Sequence, residues 1–174
     1  MLCFCLGASA ASSGGTCGTA VTWRFDDTDG CMYISGSGKM TNYSSNLLAP
    51  WTSLRAYIKS VTIENGVESI GSNAFLGCSN LMNVTLPDSV VSIGMAAFKS
   101  CTALPAISIG AGTQQIGADT FYGCAMLKSI SLPSSMTFLG ESAFYGCAQL
   151  TSIQIPDGIQ SIFGETFKNC YKLQ

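Results

Sequence analysis

Short apolar pairs split by one polar residue recur along the later part of the chain: Val84/Leu86, Ile107/Ile109, Ile130/Leu132 and Ile153/Ile155. This is the two-residue period of a strand with one buried face. Pro87, Pro133 and Pro156 follow three of these pairs directly, and proline, with no N–H to give a ladder, ends a strand there. A second short apolar step comes next, Val90 and Ile93 in one unit, then glycine, then A-F-x-x-C. The i, i+3 spacing of Phe and Cys predicts a single helical turn. Gly77, Gly123, Gly146 and Asn169 fall where that turn has to end, so a positive φ is expected at each.

These fragments belong to one unit with a period of 23 residues, the step from Phe75 to Phe98. Phenylalanine returns at Phe121, Phe144 and Phe167. Cysteine keeps the same step at Cys78, Cys101, Cys124, Cys147 and Cys170, and leucine at Leu81, Leu104, Leu127, Leu150 and Leu173. Ahead of each phenylalanine stand Ile70, Ile93, Ile116, Leu139 and Ile162, the first four followed by Gly71, Gly94, Gly117 and Gly140. One such unit has too few apolar side chains to offset the ordering of its own backbone, about 1–2 kcal/mol per residue. It has to stack on its neighbours, and stacking in register at about 4.8 Å puts Phe over Phe and Cys over Cys. The expected architecture is a repeat solenoid of five coils.

The pattern L-x-x-[VI]-x-[LI]-P-x-x-[VI]-x-x-I-G-x-x-A-F-x-x-C resembles the BspA-type leucine-rich repeats, found in surface and secreted proteins of gut and oral bacteria and of some protozoa. The resemblance covers residues 61–174 and is specific, because Phe, Cys and Leu stay in step in every copy. Thr113 at an apolar position, Gly110 for the proline and Phe163 for the glycine are the departures. The earlier segment, G-T-C-G-x-x-V-x-W-x-F with I-S-G-S-G-K-M and A-P-W, resembles the N-terminal cap of bacterial members. The resemblance implies a leucine-rich-repeat-like stack of coils with short parallel strands and single helical turns, preceded by a β-hairpin cap. It also implies an exported or cell-surface interaction module, adhesin-like, with a protein or cell-surface ligand.

Ahead of the repeats, residues 20–25 and 31–35 alternate as two strands across D-D-T-D-G, a hairpin signal. The chain thus divides into a leader-like segment 1–15, a β cap 16–60 and the solenoid 61–174. Residues 1–11, MLCFCLGASAA, have the length of a signal-peptide apolar core, and Ala8-Ser9-Ala10 has the small-x-small form of a cleavage site. No basic region precedes them; export is the favoured reading and an ordinary apolar N-terminus the alternative. Cys3 and Cys5 lack the preceding small residue that lipid attachment requires, and no run reaches the roughly 20 apolar residues of a membrane span. The final Y-K-L-Q precedes the strand of a sixth unit, so a longer native protein is expected.

Composition narrows the chemistry. With 8 basic and 10 acidic residues and a net charge of −2, the chain has no basic stripe for nucleic acid. It has no histidine, which removes the usual base for a cysteine or serine nucleophile. Among acids on the repeats, matching offsets recur only coils apart, at Asp119/Glu165 and Asp88/Asp157. No catalytic residue, cofactor or metal ligand is therefore assigned. Zinc would need four sulfurs around one ion, whereas these are strung along a column. Disulfides between adjacent coils are within reach in distance but disfavoured by parallel Cβ directions, which leaves buried free thiols as the favoured state. Cys17 and Cys31 lie too far apart in a regular hairpin to pair. Asp26, Asp27, Asp29 and Gly30 suggest calcium, but an EF-hand register puts Gly36 where the bidentate glutamate belongs, so a plain turn is favoured.

Binding then falls to residues that the period leaves free. One row is the outward strand positions Thr62, Thr85, Ser108, Ser131 and Gln154. The other follows each phenylalanine: Leu76, Lys99, Tyr122, Tyr145 and Lys168. Its two tyrosines are either a partner site or a shield for the turn beneath. A targeting or spacer arm of a larger secreted enzyme is the alternative function.

Overall fold

The structure is a computed structural model and describes residues 12–174; residues 1–11 of the leader-like segment, with Cys3 and Cys5, lie outside the described residues. Two β-sheets and a band of turns form the three sides of a stacked coil. The first sheet contains β1 (Ser12–Thr16), β2 (Val21–Asp26), β3 (Cys31–Gly36), β5 (Ser60–Ile63), β7 (Asn83–Thr85), β9 (Ala106–Ser108) and β11 (Ser129–Ser131), adjacent in that order. The second contains β4 (Gly38–Lys39), β6 (Val67–Ile70), β8 (Ser92–Ile93), β10 (Gln115–Ile116) and β12 (Phe138–Leu139). From β3 onward every strand pairing is parallel, and from β5 and β6 onward the register follows the sequence period: Val61 faces Val84, Ile107 faces Ile130, and Ile93 lies between Ile70 and Ile116.

The third side corrects the expected helical turn. A-F-x-x-C forms consecutive turns, with Leu76 N–H donating to Asn73 O and Cys78 N–H to Phe75 O. The alternate amides leave the coil. Asn73, Phe75 and Gly77 donate to the carbonyls of Met95, Ala97 and Lys99 on the next coil at 2.9, 2.8 and 2.8 Å. A helix would direct every N–H along its own axis; this corner instead links each coil to the next along a third side. The geometry needs two left-handed residues per coil. One row is the anticipated one, with φ of 73, 71, 71 and 63° at Gly77, Gly123, Gly146 and Asn169. The other, at Asn73, Ala96, Asp119, Ser142 and Glu165, has φ of 53–60° with no glycine in it.

Inside, the phenylalanines form one stack. Centroids lie 5.4 Å apart from Phe75 to Phe98, 5.7 Å to Phe121, 5.4 Å to Phe144 and 5.6 Å to Phe167, with planes within 13° of parallel. Leu81, Leu104, Leu127 and Leu150 are wholly buried beside them.

The expected hairpin is present, with Asp26 opposite Cys31. Its sheet starts at Ser12, so residues 12–15, grouped with the leader from sequence, pair with β2 instead. The cap also holds a coil of its own. β3 and β4 pair in parallel with β5 and β6, and Trp51 stacks on Phe75 at 5.6 Å while its Nε1 donates to Ala74 O at 2.7 Å.

At the other end the strands expected at Ile153/Ile155 are not formed. On the second-sheet side, too, no strand follows β12 among the described residues, and there Phe163 occupies the position where the preceding coils carry glycine pressed against the backbone before it. A ring cannot fit that contact, and Ile162 and Phe163 are 48% and 45% exposed.

Candidate interaction surface

The cysteine column is part of the packing. From the second coil on, each Sγ–H reaches the phenylalanine carbonyl of the coil before: Cys101 donates to Phe75 O at 3.3 Å, Cys124 to Phe98 O at 3.2 Å, Cys147 to Phe121 O at 3.3 Å and Cys170 to Phe144 O at 3.1 Å. For Phe75, Phe98, Phe121 and Phe144 the same oxygen accepts the amide of the cysteine in its own coil, so the thiol engages a second lone pair. A small side chain that is apolar enough for the core and still a weak donor suits this place, and cysteine meets both demands. Burial pushes the Cys78 and Cys124 thiols up to about 12 and also raises Cys101, Cys147 and Cys170. A neutral thiol is a poor nucleophile.

A pH dependence follows. Unfolded thiols ionise near 9.0, whereas the buried ones hold their protons to about 12. Their contribution to stability is complete below the unfolded value and is lost as pH rises through the folded one. The urea midpoint should stay flat through neutral pH and fall above roughly pH 9, and Cys124→Ala should lessen that fall. The same alkaline slope in wild type and variant would contradict the assignment.

The D-D-T-D-G carboxylates act on the local backbone. Asp26 Oδ1 accepts from Thr28 N–H at 3.1 Å and Asp29 Oδ1 from Cys31 N–H at 2.8 Å, around Gly30 at φ 75°. These are Asx-type turn bonds.

The two candidate rows lie on different sides of the coil. Tyr122 and Tyr145 stack at 4.4 Å with planes 2° apart. Lys99 Nζ lies 4.3 Å over the free face of Tyr122, bonded to Asp119 at 2.8 Å. Lys168 Nζ lies 5.8 Å from the centroid of Tyr145, bonded to Glu165 at 2.6 Å. Asn169 donates to the Tyr145 hydroxyl at 3.0 Å. Both outer ring faces are thereby occupied by cations from within the chain, and what remains for a partner is the ring edges. The acids Asp119 and Glu165, which offered no common site in sequence, anchor these lysines.

On the strand side Thr85, Ser108, Ser131 and Gln154 are exposed, while Thr62 next to the cap is half-buried. Thr85 is paired in register with Thr62 and Ser108, and Ser108 with Ser131. The surface between β7, β9 and β11 is a shallow groove of about 400 Å³ lined by Asn83, Ala106, Ser108, Ser129 and Ser131. Its exposed side chains are no larger than asparagine, with the Asn83 amide and the serine hydroxyls as polar groups, and the buried Val84, Ile107 and Ile130 form its floor. Among the described residues no cluster of three or more His, Cys, Asp or Glu could hold a metal ion, and no helix is long and apolar enough to cross a membrane.

A parallel stack of this period, with a buried Phe–Cys–Leu column and short strands on one side, defines a leucine-rich repeat solenoid. The chain belongs to the BspA-type leucine-rich repeat family, whose repeat region matches residues 54–174 in six copies. The match begins at Leu54, inside the segment read from sequence as the β cap, and counts six copies where the sequence period gave five. Among solved structures, a leucine-rich repeat protein of T. pallidum is similar at 27% identity and a TM-score of 0.69, over 91% of this chain and 79% of that one. A leucine-rich repeat protein of Eubacterium ventriosum is similar at 26% identity and a TM-score of 0.66, over 86% of this chain. One from Bacteroides ovatus aligns at 26% identity and a TM-score of 0.54, over 89% of this chain and 51% of its own. The match spans 45% of the Eubacterium protein's length. No curated protein matches the chain significantly. Leucine-rich repeats generally mediate protein–protein contacts, and BspA-type members are typically bacterial surface or secreted proteins.

Proposed function

We propose that the chain is a non-enzymatic, adhesin-like interaction module acting at a cell surface or after secretion, and that it binds a protein partner through the outward strand row Thr85, Ser108, Ser131 and Gln154. The observation that carries this reading is the exposed set Thr85, Ser108 and Ser131, short polar side chains held in register on β7, β9 and β11, with Ser108 and Ser131 lining the groove; Gln154 is the next exposed position of the same sequence row. Such a face lets a partner approach the sheet closely and hydrogen-bond across several coils, and a solenoid offers it without any change of shape. The tyrosine corner is the weaker candidate, because its ring faces are closed by Lys99 and Lys168.

The test pairs two double variants. Labelled protein is measured against intact epithelial cells and a panel of immobilised extracellular-matrix proteins. Ser108→Arg with Ser131→Arg places bulk and charge in the groove and should weaken binding by at least about tenfold, with an unchanged melting temperature. Tyr122→Ala with Tyr145→Ala should leave affinity within a factor of about three. The reverse outcome moves the site to the tyrosine corner, and binding intact in both variants removes it from both rows.

A further inference from the structure

The loop between β4 and β5 turns over the end of the phenylalanine stack and leaves a second groove, of about 290 Å³, beside Trp51. Leu48, Trp51 and Leu76 supply its apolar wall, Ser44 and Ser45 line it as polar groups, and Arg55 is its one charged residue. Leu48 is 62% and Leu76 37% exposed, so the apolar lips are open to solvent.

Two breaks in the repeat occur here. Arg55 stands where a cysteine would be if the period were counted back one step from Cys78. A guanidinium cannot be buried in that place without a counter-charge. Its side chain lies outside instead, with Cδ and Nη1 3.6 Å from where a Cβ on Gly77 would stand. Among the described residues it makes no ion pair, whereas Arg24, Lys99 and Lys168 each have a carboxylate. The second break is at Cys78, which also lines the groove. The thiols of the four later coils each donate to a phenylalanine carbonyl one coil back, but the coil before Cys78 carries Trp51, one residue out of step, and among the described residues no carbonyl accepts from the Cys78 thiol.

The geometry points to an occupant with a carboxylate and an apolar body, and we infer that this groove holds the C-terminal residue of a partner polypeptide ending in an apolar side chain. Arg55 presents the planar fork that binds a carboxylate through two parallel N–H bonds. Leu48, Trp51 and Leu76 take the side chain. Ser44 Oγ already accepts the amides of Asn46 and Leu47 at 3.3 and 3.2 Å, which leaves its proton to donate to the peptide. The volume is at the low end of ligand sites, roughly 300–1,000 Å³, and suits one terminal residue with its chain leading out to solvent. This site lies on the cap and first coil and does not rest on the strand-row reading, so either can fail alone.

Tryptophan fluorescence reports on the groove through Trp51. The full chain is titrated with acetyl-Ala-Leu-Leu as the free acid, with its C-terminal amide and with octanoate, in wild type, Arg55→Lys and Arg55→Gln. The free acid should saturate, the amide should bind at least about tenfold more weakly, and Arg55→Gln should lose about the same factor at an unchanged melting temperature. Arg55→Lys should fall between them, since a point charge lacks the fork. Four results would overturn the assignment: equal affinity for acid and amide, no effect of Arg55→Gln, octanoate bound as tightly as the peptide, or no saturation by the acid below roughly 10 mM.

Discussion

Replacing Phe121 by alanine is expected to cost about 3–5 kcal/mol, and toward the top of that range. The ring is fully buried between Phe98 and Phe144, at 5.7 and 5.4 Å, so truncation removes two stacked contacts as well as the buried surface. In a solenoid, where each coil touches only its neighbours, the cavity also weakens the coupling between the coils on either side. Tyr122, one residue later, is half-buried on the outer side of the same corner, and its alanine variant should lose no more than about 0.5–1.5 kcal/mol from the tyrosine stack. Urea denaturation of both variants checks the difference. Equal losses would mean that the inward and outward faces are assigned the wrong way round.

Gly94→Ala should be comparably damaging, though it adds only one carbon. A Cβ at this position would stand 2.5 Å from Ser72 N and 2.9 Å from Gly71 C and Ser72 Cα. These atoms are backbone of the preceding coil and cannot move aside as a flexible side chain would. Relief requires the second sheet to open between β6 and β8, where Gly94 N–H is bonded to Ile70 O at 2.9 Å. The expected loss is at or above the roughly 1–3 kcal/mol of ordinary overpacking. Gly164→Ala is the control: a Cβ there meets nothing within 4 Å, and its melting temperature should match the wild type. If Gly94→Ala melts like Gly164→Ala, the close approach of the coils is wrong.

The residues most legible in the sequence are those whose type is dictated by the interior. Phe, Cys and Leu repeat because each fills the same buried volume on every coil, so their period is visible without a structure. Trp51 was hidden because it lies one residue off that period, and only the stacking shows it to be the first ring of the column. The left-handed row Asn73, Ala96, Asp119, Ser142 and Glu165 was hidden for another reason. Its conformation follows from hydrogen bonds to the next coil and not from side-chain identity, so five different choices hide one backbone state. The expected helical turn failed likewise, since i, i+3 spacing does not reveal where alternate amides point. At Phe163 the sequence carried the warning, a ring in the glycine position, whose consequence for the second sheet depends on inter-coil distance. On the surface, the period separated free positions from core ones. It could not show that Lys99 and Lys168 cover the tyrosine rings, because Lys99 and Asp119 meet across adjacent coils.

The central claim is that the cysteines serve the stacking of the coils and that function is left to the outer surface. Thiol labelling of the native protein, read by mass spectrometry at each cysteine together with the zinc content, tests this most directly. Cys78, Cys101, Cys124 and Cys147 should label only after denaturation, Cys170 on the half-buried last coil should label slowly, and zinc should be absent. Rapid native labelling of the whole column, or stoichiometric zinc, would contradict it.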